Sequence, residues 1–130
     1  MAEVVAAFRE PFRDGAVDVV RGRAGAKRGR RDGATAHDVH RAVSKGFVDR
    51  GWKLGHVTGH SIGMTMIEFP KIGEGDETVL RENMVLSMHS YVISDDGRAC
   101  LYMQDTWLVT DGGGEPLAGL EMRIFAGSER

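Results

Sequence analysis

Apolar positions recur at helical spacing in one stretch of the chain. Val39, Val43 and Phe47 stand four residues apart, which places them on one face of a helix. Thr35 precedes this face and Asp38 follows three residues later, the pattern of a capping box with Asp in place of the usual Glu. The pattern predicts an amphipathic helix of about four turns that ends at Gly51.

Beyond the helix, apolar residues fall in short stretches bounded by turn residues. These stretches predict strands over residues 54–60, 63–69, 84–93, 99–110 and 120–125. Asp96 and Gly97 favour a tight hairpin between two of the strands, and residues 111–116 are predicted to form a second turn. The methionines on these predicted strands are expected in the core: Met64, Met66, Met84, Met88 and Met103. A helix followed by antiparallel strands predicts an α+β fold.

The chain divides into a predicted N-terminal region, residues 1–33, and a main domain, residues 34–130. Apolar residues near the start line one side of a predicted helix: Val4, Val5, Phe8 and Phe12. The stretch from Arg21 to Arg31 is rich in glycine and like charges, which oppose a firm helix, so it is predicted to be a loop. It contains no aromatic residues to stack on bases, so a solvated loop is favoured over a nucleic-acid site.

Composition narrows the class of protein without naming a function. A hydrophobic fraction of 42% and a charged fraction of 28% are ordinary for a globular protein. The net charge of -2 gives no general attraction to nucleic acid or membrane, so neither is predicted as a partner. The single cysteine, the short apolar runs and the absence of a recognisable secretory signal predict a cytoplasmic location.

The candidate chemistry centres on two histidines. His56 and His60 are four residues apart, a spacing that puts them on one face of a strand or a helix. Neutral imidazoles placed this way can ligate a metal ion or bind a substrate, although two hydrogen-bonded structural histidines fit the pattern equally well. Two others, His37 and His40, fall on the polar side of the predicted helix and are expected at the surface.

A series of short motifs makes a family resemblance specific. In chain order they are Gly33-Ala34-Thr35, Gly59-His60-Ser61-Ile62-Gly63, Met84-Val85, Ser87-Met88-His89-Ser90, Gln104-Asp105-Thr106 and Leu108-Val109-Thr110. Their order and spacing resemble the pita-bread family of creatinase, prolidase and the Xaa-Pro and methionine aminopeptidases. The resemblance implies that residues 34–130 form the C-terminal half of a pita-bread domain, with helices packed on a curved antiparallel sheet.

The resemblance also implies where metal ligands would lie. Peptidases of this family hold two divalent metal ions (Mn, Co or Zn) with two aspartates, a histidine and two glutamates. The histidine ligand corresponds to His60, whereas the glutamates correspond to His89 and Gln104. The aspartates are expected in a half that this chain lacks, so the two metals are not expected to bind fully. His56 matches a substrate-binding histidine, and the second histidine of that pair is replaced by Ile67.

The function that the resemblance implies is hydrolysis of a C–N bond in a peptide or a small amidine-like substrate, with His56 and His60 as catalytic residues. The replaced ligands identify the chain as a truncated or degenerate member. Two alternatives stay open: a non-enzymatic binding or interaction module, and a mononuclear metal site built from the histidines at 56, 60 and 89 with Asp105. The expected partners are a small peptide or amide, and either a second copy or a chain that supplies the missing N-terminal half.

Overall fold

The computed structural model describes residues 33–110 and 113–119, which hold one helix and six strands. The helix is α1 (Ala36–Val48), and the strands are β1 (Trp52–Leu54), β2 (Gly59–Ile62), β3 (Glu68–Ile72), β4 (Val85–Ser94), β5 (Cys100–Thr110) and β6 (Gly113–Pro116). The helix and loop predicted before residue 33, and the strand predicted over residues 120–125, lie outside the described residues. In the described ranges no helix is long and apolar enough to cross a membrane.

Helix α1 begins at the predicted capping box. The Thr35 hydroxyl accepts a hydrogen bond from the amide of Asp38 (3.1 Å), and the Asp38 carboxylate accepts one from the amide of Thr35 (3.0 Å). These bonds satisfy two amides at the helix start that have no partner within the helix. Val39, Val43 and Phe47 are fully buried, so the apolar face packs against the sheet as its spacing predicts.

The strands form one antiparallel sheet in the order β3-β2-β4-β5-β6, and β1 pairs with β4 beside that path. Strand β4 is central: its first residues pair with β2, its last with β1, and nearly its whole length with β5. The register places His89 opposite Gln104 and Ser87 opposite His60. One helix on an antiparallel sheet confirms the predicted α+β fold.

Alternation along β4 and β5 gives the sheet two faces of different character. Leu86, Met88 and Val92 are buried on the side that packs against α1. The intervening residues of β4, His89 among them, point to the opposite side. On β5, Val109 lies on the helix side, and cross-strand pairing puts Gln104 on the same side as His89.

Two strand predictions were wrong in part. Residues 55–58 form no strand, and residues 63–67 form a loop before β3. In that loop the Glu68 carboxylate accepts a bond from the amide of Thr65 (2.8 Å), so local side-chain bonds replace a strand ladder. Met64 and Met66 are 102% and 76% exposed there, which overturns their predicted place in the core.

The predicted hairpin is confirmed, and the second predicted turn is partly wrong. Gly97 has a φ of 70°, a left-handed conformation that glycine adopts without steric cost, between β4 and β5. Within the predicted turn over 111–116, residues 113–116 form β6 and pair with residues 107–110 of β5.

Candidate functional site

His60 lies on β2 and faces away from α1. Its side chain is only 8% exposed, and its cross-strand partner on β4 is Ser87. The Nδ1–H of His60 donates to the carbonyl of Ser61 (3.0 Å). Because a carbonyl only accepts, the neutral ring carries its proton on Nδ1, which leaves the Nε2 lone pair free to accept a bond from a ligand.

His56 joins the same face from the turn between β1 and β2, not from a strand. Its side chain is exposed, and its Nδ1–H donates to the carbonyl of Val57 (2.6 Å). The ring stacks on Tyr91 of β4, with centroids 5.8 Å apart and planes within 12°. The rings of the two predicted histidines both lie beside His89, on the same side of the sheet.

His89 lies at the centre of the group. Its ring centroid is 5.1 Å from that of His60, 5.3 Å from that of His56 and 5.8 Å from that of Tyr102. It is 8% exposed, and its Nδ1 is buried without a hydrogen-bond partner. Burial lowers the pKa of His89, and the nearby His60 and His56 lower it further. His89 is therefore a neutral imidazole at pH 7.

Gln104 on β5 is held by its neighbours at both ends of its amide. Its Nε2 donates to the hydroxyl of Ser87 (2.7 Å), and its Oε1 accepts from the hydroxyl of Tyr102 (3.2 Å). The amide oxygen, the only atom of Gln104 suited to ligate a metal, is uncharged and already accepts one hydrogen bond. We call the surface formed by these six side chains the histidine face: His56, His60, His89, Tyr91, Tyr102 and Gln104.

Asp105 does not belong to the histidine face. It pairs across the ladder with Met88, a core residue on the helix side, and its carboxylate accepts a bond from the amide of Thr106 (2.7 Å). The alternative site of three histidines with Asp105 is therefore not assembled. Among residues 33–110 and 113–119, no three His, Cys, Asp or Glu side chains are placed to hold a metal ion.

The two divalent ions implied by the resemblance do not fit the described side chains of this face. Holding two dications close together requires anionic oxygens that bridge them. The positions that correspond to the bridging glutamates carry His89 and Gln104, which are neutral groups, and the Gln104 oxygen is bonded to Tyr102. The face as described is built from imidazole, phenol and amide groups and contains no carboxylate.

Sequence reasoning missed Tyr102 and Thr58 as parts of the site. Tyr102 stands two residues before Gln104, a predicted ligand position, so strand alternation was a signal that places it on the same face. Thr58, between the two predicted histidines, is fully buried, and its hydroxyl lies 2.7 Å from Nδ1 of His40 on α1. The predicted surface position of His40 was therefore wrong, because His40 is half-buried and hydrogen-bonded to Thr58 in the turn between β1 and β2.

Gly59 is required by strand packing. A Cβ at this position would lie 2.4 Å from the Ser87 carbonyl oxygen, which belongs to the backbone of β4. The glycine that precedes His60 thus lets β2 approach β4 and brings His60 beside Ser87.

Comparison with known proteins agrees with the resemblance. A model of metallopeptidase family M24 matches residues 14–111, which is most of the chain. The Xaa-Pro dipeptidase of Pyrococcus furiosus is 33% identical over 72 residues, a match covering 54% of this chain and 20% of that protein.

Two solved structures share the fold. The prolidase of Pyrococcus horikoshii has a TM-score of 0.73 at 23% identity, over 95% of this chain and 33% of that chain. The X-Pro aminopeptidase of Thermotoga maritima has a TM-score of 0.74 at 21% identity, over 95% of this chain and 32% of that chain. The half-domain fold is thus confirmed, and the chain spans 33% or less of the length of each of these three relatives.

Proposed function

The chain belongs to metallopeptidase family M24, and we propose that it is a degenerate hydrolase domain that binds a small peptide or amide on the histidine face. The ancestral activity that we propose for it is hydrolysis of C–N bonds with two metal ions. In this proposal the chain alone no longer carries out that reaction. The observation that carries the proposal is the lack of a carboxylate at both bridging positions, where His89 and Gln104 stand, with the Gln104 amide bonded to Ser87 and Tyr102.

The hydrogen-bonding groups of the face favour an uncharged ligand. His56 and His60 both offer an Nε2 lone pair, which accepts a hydrogen bond from an amide N–H or a hydroxyl. Burial and the neighbouring His60 and His56 lower the pKa of His89, and no carboxylate is among the causes of its shift. A cationic amidine would therefore lack a charge partner on this face, whereas a peptide or small amide needs none.

Metal analysis combined with a turnover assay tests the proposal. After dialysis, the chain is expected to retain fewer than two metal ions, and to show no turnover of a Xaa-Pro dipeptide in added manganese or cobalt. The double variant His89→Glu with Gln104→Glu is the positive control for the metal analysis, because restored carboxylates should raise the affinity for metal ions. Two tightly held metals per chain, with turnover lost in His60→Ala, would overturn the proposal.

The second candidate is a non-enzymatic interaction module, and the exposed loop before β3, together with the start of β3, favours it. Met64, Met66, Ile67 and Phe69 are between 58% and 102% exposed, an apolar surface typical of a docking site. Titration with a dipeptide amide separates the two candidates. A ligand site predicts saturable shifts of the histidine ring resonances, and an interaction module predicts none.

The proposal also includes how the chain associates with other chains and where in the cell it is located. We propose a homodimer, or pairing with a chain that supplies the missing half and its aspartates, because a half-domain leaves apolar surface exposed. A cytoplasmic location fits the single cysteine of the sequence.

A further inference from the structure

Thr58 is a junction of three hydrogen bonds that reach three different elements. Its amide donates to the carbonyl of Ile72 on β3 (2.8 Å), and its carbonyl accepts from the amide of His89 on β4 (2.7 Å). Its hydroxyl lies 2.7 Å from Nδ1 of His40 on α1. Thr58 is fully buried, so each bond that is lost leaves a buried polar group to satisfy.

His40 is the side chain through which α1 reaches this junction. Its Nδ1 faces the Thr58 hydroxyl, and its Nε2 lies 3.4 Å from the hydroxyl of Ser44 one turn along the helix. A neutral imidazole satisfies both neighbours, because one nitrogen donates and the other accepts. The contact fixes the Thr58 side chain against the helix.

We propose that His40 is a positioning residue for the histidine face and that it acts through Thr58. Thr58 stands midway between His56 and His60 in the chain, and its carbonyl holds the amide of His89. A loss of the contact between Thr58 and α1 therefore loosens the backbone at all three histidines. The inference rests on the proposed function only in taking this face as the binding site.

The contact depends on pH. Burial lowers the pKa of His40, and His37 lowers it further, whereas Glu74 on the loop after β3 raises it. The net pKa lies below the ordinary value, so the closed state disfavours a charged ring. An open state then binds more protons than the closed state at acid pH. The contact is at full strength above about pH 6.5 and weakens as the pH falls below that value.

Amide hydrogen exchange of the full chain measures this opening. The probes are the amides of Thr58 and His89, with Val92 on the same strand as reference. After correction for intrinsic exchange, the opening equilibrium of both probes should rise by up to about fivefold between pH 6.5 and 5.5, because an open His40 takes up a proton. The amide of Val92 should show no such rise.

Two pairs of proteins isolate the contact. His40→Asn keeps a polar group near the Thr58 hydroxyl but does not titrate, so it should make the acid-dependent rise smaller, and what remains belongs to the other histidines. The other histidines are present in both proteins, so the difference reports His40 alone. Thr58→Val keeps the shape without the hydroxyl and should open the His89 amide about tenfold at pH 7.5, whereas Thr58→Ser should match the parent.

The outcomes decide the proposal independently of ligand binding. An acid-dependent rise that is unchanged in His40→Asn would overturn it, as would protection in Thr58→Val equal to that of the parent. If Thr58→Val does not fold, the comparison of the parent with His40→Asn still decides. A two-metal peptidase activity would refute the proposed function and leave this result standing, because exchange reports the backbone and not catalysis.

Discussion

At the scale of single residues, His60 and His89 differ in one atom's surroundings although both are 8% exposed. The Nδ1 of His60 is bonded to the carbonyl of Ser61, whereas the Nδ1 of His89 is buried without a partner. An unpaired buried polar atom costs about 1–3 kcal/mol. The unpaired Nδ1 of His89 therefore lowers the stability of the fold.

Replacing each ring by phenylalanine tests this difference. His89→Phe removes the unpaired nitrogen and should raise the free energy of unfolding by about 1 kcal/mol. His60→Phe is the matched control, because it removes a satisfied bond and should lower that free energy by a similar amount, about 1 kcal/mol. Urea unfolding followed by tryptophan fluorescence measures both. Equal effects of the two substitutions would show that the unpaired Nδ1 has no energetic weight.

Strand alternation was sufficient to place the side chains of β4 and β5 from sequence. His89 and Gln104 lie opposite each other on the face that contains His60, as the family motifs imply. The role of Thr58 was not predictable, because it depends on a contact with His40 eighteen residues earlier. A local pattern carries no information on which buried hydroxyl a helix will reach.

At the scale of elements, α1 shows how a cap and an apolar face act together. The capping box at Thr35 begins the helix, and the buried face of Val39, Val43 and Phe47 holds it on the sheet. Both signals are local in sequence, which explains why this element was predicted closely. The helix carries His40, so its anchoring also bears on the histidine face.

The cap gives a direct prediction about stability. Thr35→Ala removes the hydroxyl that accepts from the Asp38 amide and should lower the free energy of unfolding by about 1 kcal/mol. Thr35→Ser keeps the hydroxyl and should lose little. Chemical denaturation monitored by circular dichroism compares the two variants. A loss as large in the serine variant would assign the effect to the methyl group instead of the cap.

The strands were predicted less closely than the helix because short apolar runs are ambiguous. The apolar run over residues 63–69 predicts a strand. In the structure the Glu68 carboxylate accepts a hydrogen bond from the Thr65 amide, and only the residues from Glu68 onward pair with β2. The reverse holds for residues 113–116, where glycines suggested a turn and the ladder continues. Pairing with a neighbour, which sequence does not reveal, decided both cases.

At the scale of the whole molecule, the described surface has a patch of exposed apolar side chains next to the sheet edge formed by β3. We use the name edge loop for residues 63–69, which are the loop over 63–67 and the first two residues of β3; its apolar side chains Met64, Met66, Ile67 and Phe69 are all exposed. It connects β2, which carries His60, with the rest of β3, the edge strand of the sheet. An exposed apolar patch beside a sheet edge is typical of a contact with another polypeptide.

The edge loop is therefore expected to mediate the association of the chain. Light scattering at micromolar concentration should give a dimer for the parent chain. The double variant Ile67→Ser with Phe69→Ser should shift the chain toward monomer, because burial of these side chains supplies apolar contact area, about 25 cal/mol for each Å² removed from water. Leu117→Ser is the control, since Leu117 is 56% exposed but lies just beyond β6 at the opposite edge of the sheet. A parent chain that is monomeric at this concentration would contradict self-association, and a dimer that persists in the double variant would place the contact elsewhere on the surface.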